Sequence, residues 1–524
     1  VSKALEHDSQ VAALVSTSVG FAMMCIGMFM AILDVQVVAT SLPTIQSALG
    51  IPPDRMSWVQ TAYLIAEVIA IPLTGFLTRL LSMCWLFVLS ISVFTLASVG
   101  CAASDSFPAL IAWRALQGFS GGTLIPSVFS AVFLLFSVRR QGIATTFAGV
   151  LAVLAPTVGP VVGGWITETY SWHWLFLINV VPGIFSAVLA GVLLPKEPIR
   201  LGEVRTLDMP SLILLSIALA TVEITLKEAP MRGWHSGFVL GLLALSCASS
   251  VGFIRRTTKA SRPIVSLGTF TDRRFTIGCL LSFVLGIGLF GSVYLMPVFL
   301  AFVRDHNALE IGVIMLVTGV TQLLTAPIAV ALEQRVDSRL LTTLGFGLFG
   351  VGLGLSGLQT PQTDFGTMFW PQVIRGLAIM FCVLPPTRLA LGHLEASRVP
   401  DASGLFNLMR NLGGAIGLAM IDTVIYTRSP VLASAITKKL QAGDVDTAKF
   451  IGIPVEMFVA RPVGPLDGPT QAIVQSFVEK AALVQAINEA WIMIAGLTIA
   501  ALLCVPFAKS SLHASKRSTR VLKG

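Results

Sequence analysis

Seven ionisable side chains stand where such groups are expensive. Asp34, Glu67, Arg114, Glu223, Arg375, Arg410 and Asp422 each interrupt a long apolar run. A charge carried into hydrocarbon is costly, and it normally faces a cavity or a partner. Asp34 ends the run Ile32-Leu-Asp-Val-Gln-Val-Val-Ala-Thr-Ser-Leu-Pro43, with helical phasing on both sides. A carboxylate there can take up and release a proton; the alternative is a cap or hydrogen-bond acceptor near the membrane surface. Glu67 lies mid-run with no charge near it in sequence. It suits proton or cation handling, or else a protonated or hydrogen-bonded contact between helices. Arg114 precedes Gln117 and Gly118. Its positive charge beside an acid would couple protonation to helix rearrangement, against a static ion pair or a bond to backbone carbonyls. Asp34, Glu67 and Arg114 form the candidate proton-coupling set.

A second group has the polarity to line a substrate cavity: Gln36, Gln117, Glu223, Arg375, Asn407, Arg410 and Asp422. The stretch Phe406-Asn407-Leu-Met-Arg410-Asn411-Leu-Gly413-Gly414 puts polar groups beside a close-packing face, and Asp422 follows about three helical turns after Arg410. Arg410 near the surface could instead snorkel, and Glu223 could pair with Lys227 near a span end. In Pro156-Thr-Val-Gly159-Pro160-Val-Val-Gly163-Gly164, Pro160 removes an amide donor and bends the helix. The glycines there permit close packing, which suits rocking between two bundles as well as a static kink. No nucleophile–base–metal set emerges, no histidine cluster spaces like a metal site, and no Gly-Lys-Ser/Thr loop is present. Catalysis, a bound metal, a cofactor and ATP hydrolysis are therefore not expected.

The elements that must hold these groups are membrane helices. Of 524 residues, 55% are hydrophobic and 12% are charged, half the charge of about 25% usual in soluble domains. A soluble enzyme is excluded, as are a disordered chain and a disulfide-stapled module. Continuous apolar runs, rather than alternating ten-residue strands, disfavour a β-barrel. Fourteen spans are expected at 14–40, 56–78, 83–103, 107–135, 141–164, 172–194, 208–227, 235–254, 275–302, 309–332, 339–358, 365–391, 401–428 and 483–507. The pair 208–227 and 235–254 carries the weakest signal. The polar stretch 429–480 reads as an extracytoplasmic loop. A weak internal echo links Arg114-Ala-Leu-Gln-Gly118 to Arg375-Gly376-Leu-Ala, each followed by a Pro-containing helix, and suggests two related halves. Lys and Arg number 22 on the side carrying both termini and 10 on the other, so both termini are expected in the cytoplasm. The net charge of +8 then marks orientation rather than nucleic-acid binding. The seven cysteines read as small buried hydrophobes, and Trp172-His173-Trp174 as an interfacial anchor.

The motifs resemble the major facilitator superfamily, specifically its fourteen-helix drug:proton antiporter family of the EmrB/QacA type. Leu33-Asp34…Val37-Val38…Leu42-Pro43 is similar to the first-helix motif, and Arg114-Ala-Leu-Gln117-Gly118…Gly121-Gly122…Pro126 to the fourth-helix arginine motif. Gly159-Pro160…Gly163-Gly164 resembles the fifth-helix antiporter motif. Trp172-His-Trp174-Leu-Phe176-Leu-Ile-Asn179-Val-Val-Pro182-Gly183 is similar to the start of helix six, and Asn407…Arg410…Gly413-Gly414-Ala-Ile-Gly417 to a motif of helix thirteen. The resemblance implies a bacterial inner-membrane carrier with an all-α fold of two six-helix bundles. An inserted pair would divide the chain at 1–200, 201–262 and 263–524. It implies export of hydrophobic or amphipathic compounds against inward protons, with Asp34 and Arg114 in the coupling machinery.

Two departures stand out. In Gly75-Phe-Leu-Thr78-Arg79-Leu-Leu-Ser-Met-Cys-Trp85, Thr78 stands where an acid is usual and the following glycine and basic residues are absent. That removes the basis for expecting the family's gating contacts on the cytoplasmic side. Glu67 replaces a small apolar residue. Competing expectations keep the fold but move a lipid, fatty acid or siderophore, or make the chain a non-transporting scaffold or sensor. The expected partners are protons, an amphipathic or lipid-like substrate and membrane lipids. The loop 429–480 either docks a periplasmic adaptor or covers the outer mouth.

Overall fold

In a bilayer, backbone amides and carbonyls must be satisfied within the chain, so long apolar runs close on themselves as helices. The computed structural model describes residues 2–51, 58–200, 202, 208–260, 263–333, 335–453 and 468–507, and among these all regular structure is helical. Fourteen helices are long and apolar enough to cross a membrane. They are α1 (Ser2–Leu49), α2 (Trp58–Leu81), α3 (Met83–Ala102), α4 (Phe107–Leu135), α5 (Val138–Thr169), α6 (Trp174–Leu193), α7 (Met209–Arg232), α8 (Gly237–Lys259), α9 (Arg273–Phe302), α10 (Ala308–Glu333), α11 (Ser338–Leu355), α12 (Phe365–Leu391), α13 (Val399–Gln441) and α14 (Gly468–Ala500). The weakly signalled pair is thus present as α7 and α8.

Helices α1 to α6 form one bundle and α9 to α14 the other. The first has two apolar cores, one around Met24, Phe87, Phe94 and Phe129 and one around Val37, Leu110 and Phe176. The second has one core around Phe299, Phe346, Phe349 and Trp491. The bundles meet along α5–α10 and α2–α13, and α7 packs on both α2 and α13 while α8 packs mainly on α7. Lipid tails are as apolar as the side chains, so helix association relies on close packing at small residues. A Cβ on Gly118 of α4 would run into the Tyr63 carbonyl oxygen of α2, and one on Gly413 of α13 into the Phe283 carbonyl oxygen of α9. Outward-facing apolar residues such as Val181, Phe185, Val188 and Val192 are more than half exposed, at the spacing of one helical face turned to lipid.

Three readings change here. The stretch 429–480 is not simply a loop: α13 continues to Gln441, a short helix covers Val445–Ile451, and α14 begins at Gly468. Ile436, Leu440, Ala448, Ile451, Val474, Val478 and Ala481 pack into their own small core. At about 1.5 Å per residue, the 43 residues of α13 run to about 65 Å, twice the hydrocarbon thickness. Residues 454–467 of that stretch, and the basic C-terminal tail from 508, lie outside the described residues. Trp174 is half exposed, as an anchor should be, but Trp172 is only 5% exposed and packs in the core. Five cysteines are buried, whereas Cys247 is exposed on α8 and Cys504 is intermediate.

Candidate functional site

Asp34 is fully buried on α1, and three side chains donate to it. Arg114 Nη1 lies 2.5 Å from Oδ2, Gln117 Nε2 2.9 Å from Oδ1, and Asn179 Nδ2 2.8 Å from Oδ1. Arg114 and Gln117 are three apart on α4 and so share a face. Asn179 sits where α6 breaks its helical run between Leu177 and Val180. Arg114 also donates through Nε to the Val59 carbonyl at 3.0 Å and through Nη1 to Gln117 Oε1 at 2.7 Å. Its guanidinium lies 4.5 Å from the Tyr63 ring centroid and 5.8 Å from that of Phe176. Gln117 Nε2 reaches Ser98 Oγ on α3 at 2.9 Å. Arg114 Nη2 has no hydrogen-bond partner among the described residues. Helices α1, α4 and α6 therefore converge on one carboxylate. If Asp34 takes a proton, Arg114 loses the charge that balances it in a dry site, and the three helices lose their shared tie.

The other candidates separate into distinct places. Glu67 is 8% exposed on α2, with its backbone against Gly122 of α4, and it accepts no hydrogen bond among the described residues. Glu223 on α7 interacts electrostatically with it. Gln36 faces Gly159 of α5, whose missing Cβ makes room for it, so it packs at a helix contact. Pro160, Gly163 and Gly164 lie in the same helix. The neighbouring Val161 fills the space left by Gly312 of α10 in the other bundle. Gln117 belongs to the Asp34 network rather than to a separate cavity wall.

In the second bundle, Arg375 occupies the place on α12 that the sequence echo with Arg114 suggests, 5.0 Å from the Trp491 ring centroid. Where Arg114 has an aspartate, Arg375 has, among the described residues, only the Met296 sulfur at 3.5 Å as a hydrogen-bond partner. It lies inside its bundle, between α9, α11 and α14, and does not face the other bundle. Arg410 of α13 donates to Asn407 Oδ1 and lies 5.2 Å from the Phe129 ring centroid of α4, so Arg410 does meet the first bundle. Asp422 is elsewhere, accepting from Tyr294 Oη at 2.7 Å. Asn407, Arg410 and Asp422 therefore do not form one continuous line of polar contacts.

Sequence reasoning missed Asp401. Arg79 at the end of α2 donates to both its carboxylate oxygens at 2.6 Å, joining the two bundles on the face carrying the termini. The acid absent at Thr78 is supplied by the other bundle, and Gly75 leaves the space in which Asp401 sits. A second pair, Arg388 with Glu333 at 3.3 Å, lies beside Gly142 of α5 on the same face. Arg79 is about one-third exposed, so solvent screening limits its ion pair to about 1 kcal/mol. We predict that Asp401→Asn speeds hydrogen exchange at the facing ends of α2 and α13 about fivefold. Unchanged exchange there would show that the pair does not hold the bundles together. Beyond the spans, Asp364 caps α12. The Phe365 amide and the Arg304 guanidinium hold its carboxyl below the usual carboxylate range.

The sequence pattern that defines the Major Facilitator Superfamily matches residues 24–418. The colistin resistance protein EmrB of Acinetobacter baumannii is 37% identical over 406 residues, which is 77% of this chain and 79% of that protein. The multidrug export protein EmrB of Escherichia coli is 31% identical over 418 residues, 79% of this chain and 81% of that one. Among solved structures, the proton:xylose symporter XylE superposes with a TM-score of 0.58 at 12% identity, covering 96% of this chain and 97% of its own. That last likeness concerns the fold alone.

Proposed function

The chain belongs to the Major Facilitator Superfamily, in its EmrB-like drug:proton antiporter branch, and from that membership we propose that it exports hydrophobic or amphipathic compounds in exchange for protons by alternating access. It is a transporter and not an enzyme. The observation that carries the coupling is the buried Asp34–Arg114 pair, fixed by Gln117 and Asn179. Protonation of Asp34 removes a charge from a site where Arg114 must be balanced, and a packed interface with two arrangements can turn that local change into movement of helices. Substrate release and proton uptake then alternate. The units are 1–200, 201–262 and 263–524, and Gly159, Pro160, Gly163 and Gly164 are carried by α5, whose Val161 meets Gly312 of α10. The excess of Lys and Arg on the side of the termini supports cytoplasmic ends in a bacterial inner membrane. The helical projection built from α13 and α14 supports docking of a periplasmic adaptor, because it carries its own core beyond the span. Co-purification of an adaptor with the full chain, and its loss when residues 440–470 are removed, tests that role.

A second reading concerns cargo. Arg410 meets α4 across the bundle interface and has no carboxylate partner among the described residues. That favours an acidic amphiphile such as a fatty acid. Purified protein in proteoliposomes, given matched cationic, neutral and anionic amphiphiles with and without a pH gradient, decides both questions. The export reading expects gradient-dependent accumulation of at least one class. Movement of all classes at the rate of empty liposomes would overturn it.

A further inference from the structure

We propose that the second bundle holds a halide ion, chloride in a cell, against the guanidinium of Arg375 in the space it shares with Trp491. The site lies apart from the Asp34 network and needs nothing of the export reading. Arg375 comes ten residues after Phe365 on α12, about 15 Å inside the span. It is 3% exposed. Helices α9, α11 and α14 close around it. The Met296 sulfur lies 3.5 Å from Nη2, Gly352 leaves the room that the arginine stem fills, and the Trp491 ring centroid lies 5.0 Å from the guanidinium carbon. A guanidinium keeps its charge at any pH a cell reaches, and a charge so deeply buried must be balanced by another.

The surrounding helices supply no such charge. Helices α9, α11 and α12 carry neither Asp nor Glu over their whole length. Helix α14 carries two. Glu479 lies twelve residues before Trp491, about 18 Å away along the helix, and accepts from Gln475. Glu489 pairs with Arg428 at 2.6 Å. Asp422 of α13 is held by Tyr294, and Asp364, ahead of α12, by Arg304. Two N–H donors at this contact, Arg375 Nε and Trp491 Nε1, are buried without a hydrogen-bond partner among the described residues. Met296 offers a thioether, a weak acceptor with no charge. Gln372, one turn away on α12, gives its carbonyl oxygen to Thr318 of α10. The matching ligand accepts hydrogen bonds, carries a full negative charge and is small. A Cβ on Gly352 would already come within 2.7 Å of Arg375 Cγ, so the interior is packed too closely for a carboxylate-bearing amphiphile. A halide fits. It also has no affinity for protons near neutral pH, so the balance at Arg375 stays fixed while that of Arg114 with Asp34 can change. The two echoed arginines thus have opposite tasks, one in a titratable pair and one in a constant pair.

Thermal unfolding midpoints of the full purified chain, in sodium chloride against sodium gluconate at equal ionic strength, test this with no transport step. The parent should rise saturably by about 3 °C as chloride replaces gluconate up to about 150 mM, as expected for a ligand that binds only the folded chain. Bromide should act like chloride. Met296→Glu puts a carboxylate against the Arg375 guanidinium, so in gluconate it should be as stable as the parent is in chloride, with its own chloride response gone. Arg375→Met removes the charge at similar length and should also lose the response; it carries the test alone should Met296→Glu fail to fold. A parent midpoint equal in the two salts would overturn the proposal. So would a response of parental size surviving in either variant, or the absence of saturable binding of radiolabelled chloride to the folded parent.

Discussion

Asp34→Asn should abolish gradient-driven accumulation while leaving a folded carrier. A one-unit pH gradient supplies about 1.4 kcal/mol per proton, enough for about tenfold accumulation in a one-for-one exchange. The parent chain in inverted vesicles should approach that ratio, and the variant should stay at the level of empty vesicles. The substitution keeps the shape of the side chain, and its carbonyl oxygen can stand at Oδ1 and accept from Gln117 and Asn179, leaving the amide nitrogen opposite Arg114. It imitates the protonated carrier, a state the protein must visit in every cycle, which is why folding survives. The control is the thermal unfolding midpoint in detergent. Parent-like accumulation by the variant would remove Asp34 from the coupling.

Arg114→Ala should instead damage the fold. Its guanidinium ties Asp34, Gln117 and the Val59 carbonyl together at zero exposure. Removing one partner of a buried ion pair leaves the other uncompensated, at a cost of about 3–5 kcal/mol. Lysine cannot replace the planar fork that reaches three acceptors at once, so Arg114→Lys should recover little of the loss. Adding Asp34→Asn to Arg114→Ala should recover part of it, because the unbalanced carboxylate is then gone. Unfolding midpoints for the two single variants and the double variant measure this directly. Additive losses would mean that the two residues do not act as a pair.

The sequence exposed the fold and the unusual residues more readily than their partners. Long uninterrupted apolar runs leave little freedom in a bilayer, so α7 and α8 could be read despite weak signal. Costly charges were visible because hydrocarbon makes each an exception, hence Asp34, Glu67 and Arg114. Asn179 and Ser98 complete the Asp34 network but are neutral polar residues of a kind common in such helices; the helix-six motif includes Asn179 without giving it a role, and nothing local distinguishes Ser98. Asp401 sits in the first turn of α13, where an acid reads as an ordinary helix-start residue. The side-chain-free Gly75 opposite it was the available signal. Gln117 and Arg375 had the polarity of cavity residues, yet each packs within a bundle, because which face of a helix turns inward is set by neighbours far away in sequence. The projection formed by 436–451 and 474–482 was hidden by its polar composition, although Ile436, Leu440, Val474 and Val478 keep four-residue spacing.

Proton-coupled export requires that cargo and protons cross in exchange. Proteoliposomes loaded with a transported amphiphile and a trapped pH-sensitive dye, then diluted into cargo-free buffer at equal pH, give the most direct measurement. Antiport predicts that cargo leaving draws protons in, so the lumen acidifies in the parent and not with Asp34→Asn. Cargo leaving the parent vesicles at a protein-dependent rate with the lumen pH unchanged would contradict proton coupling.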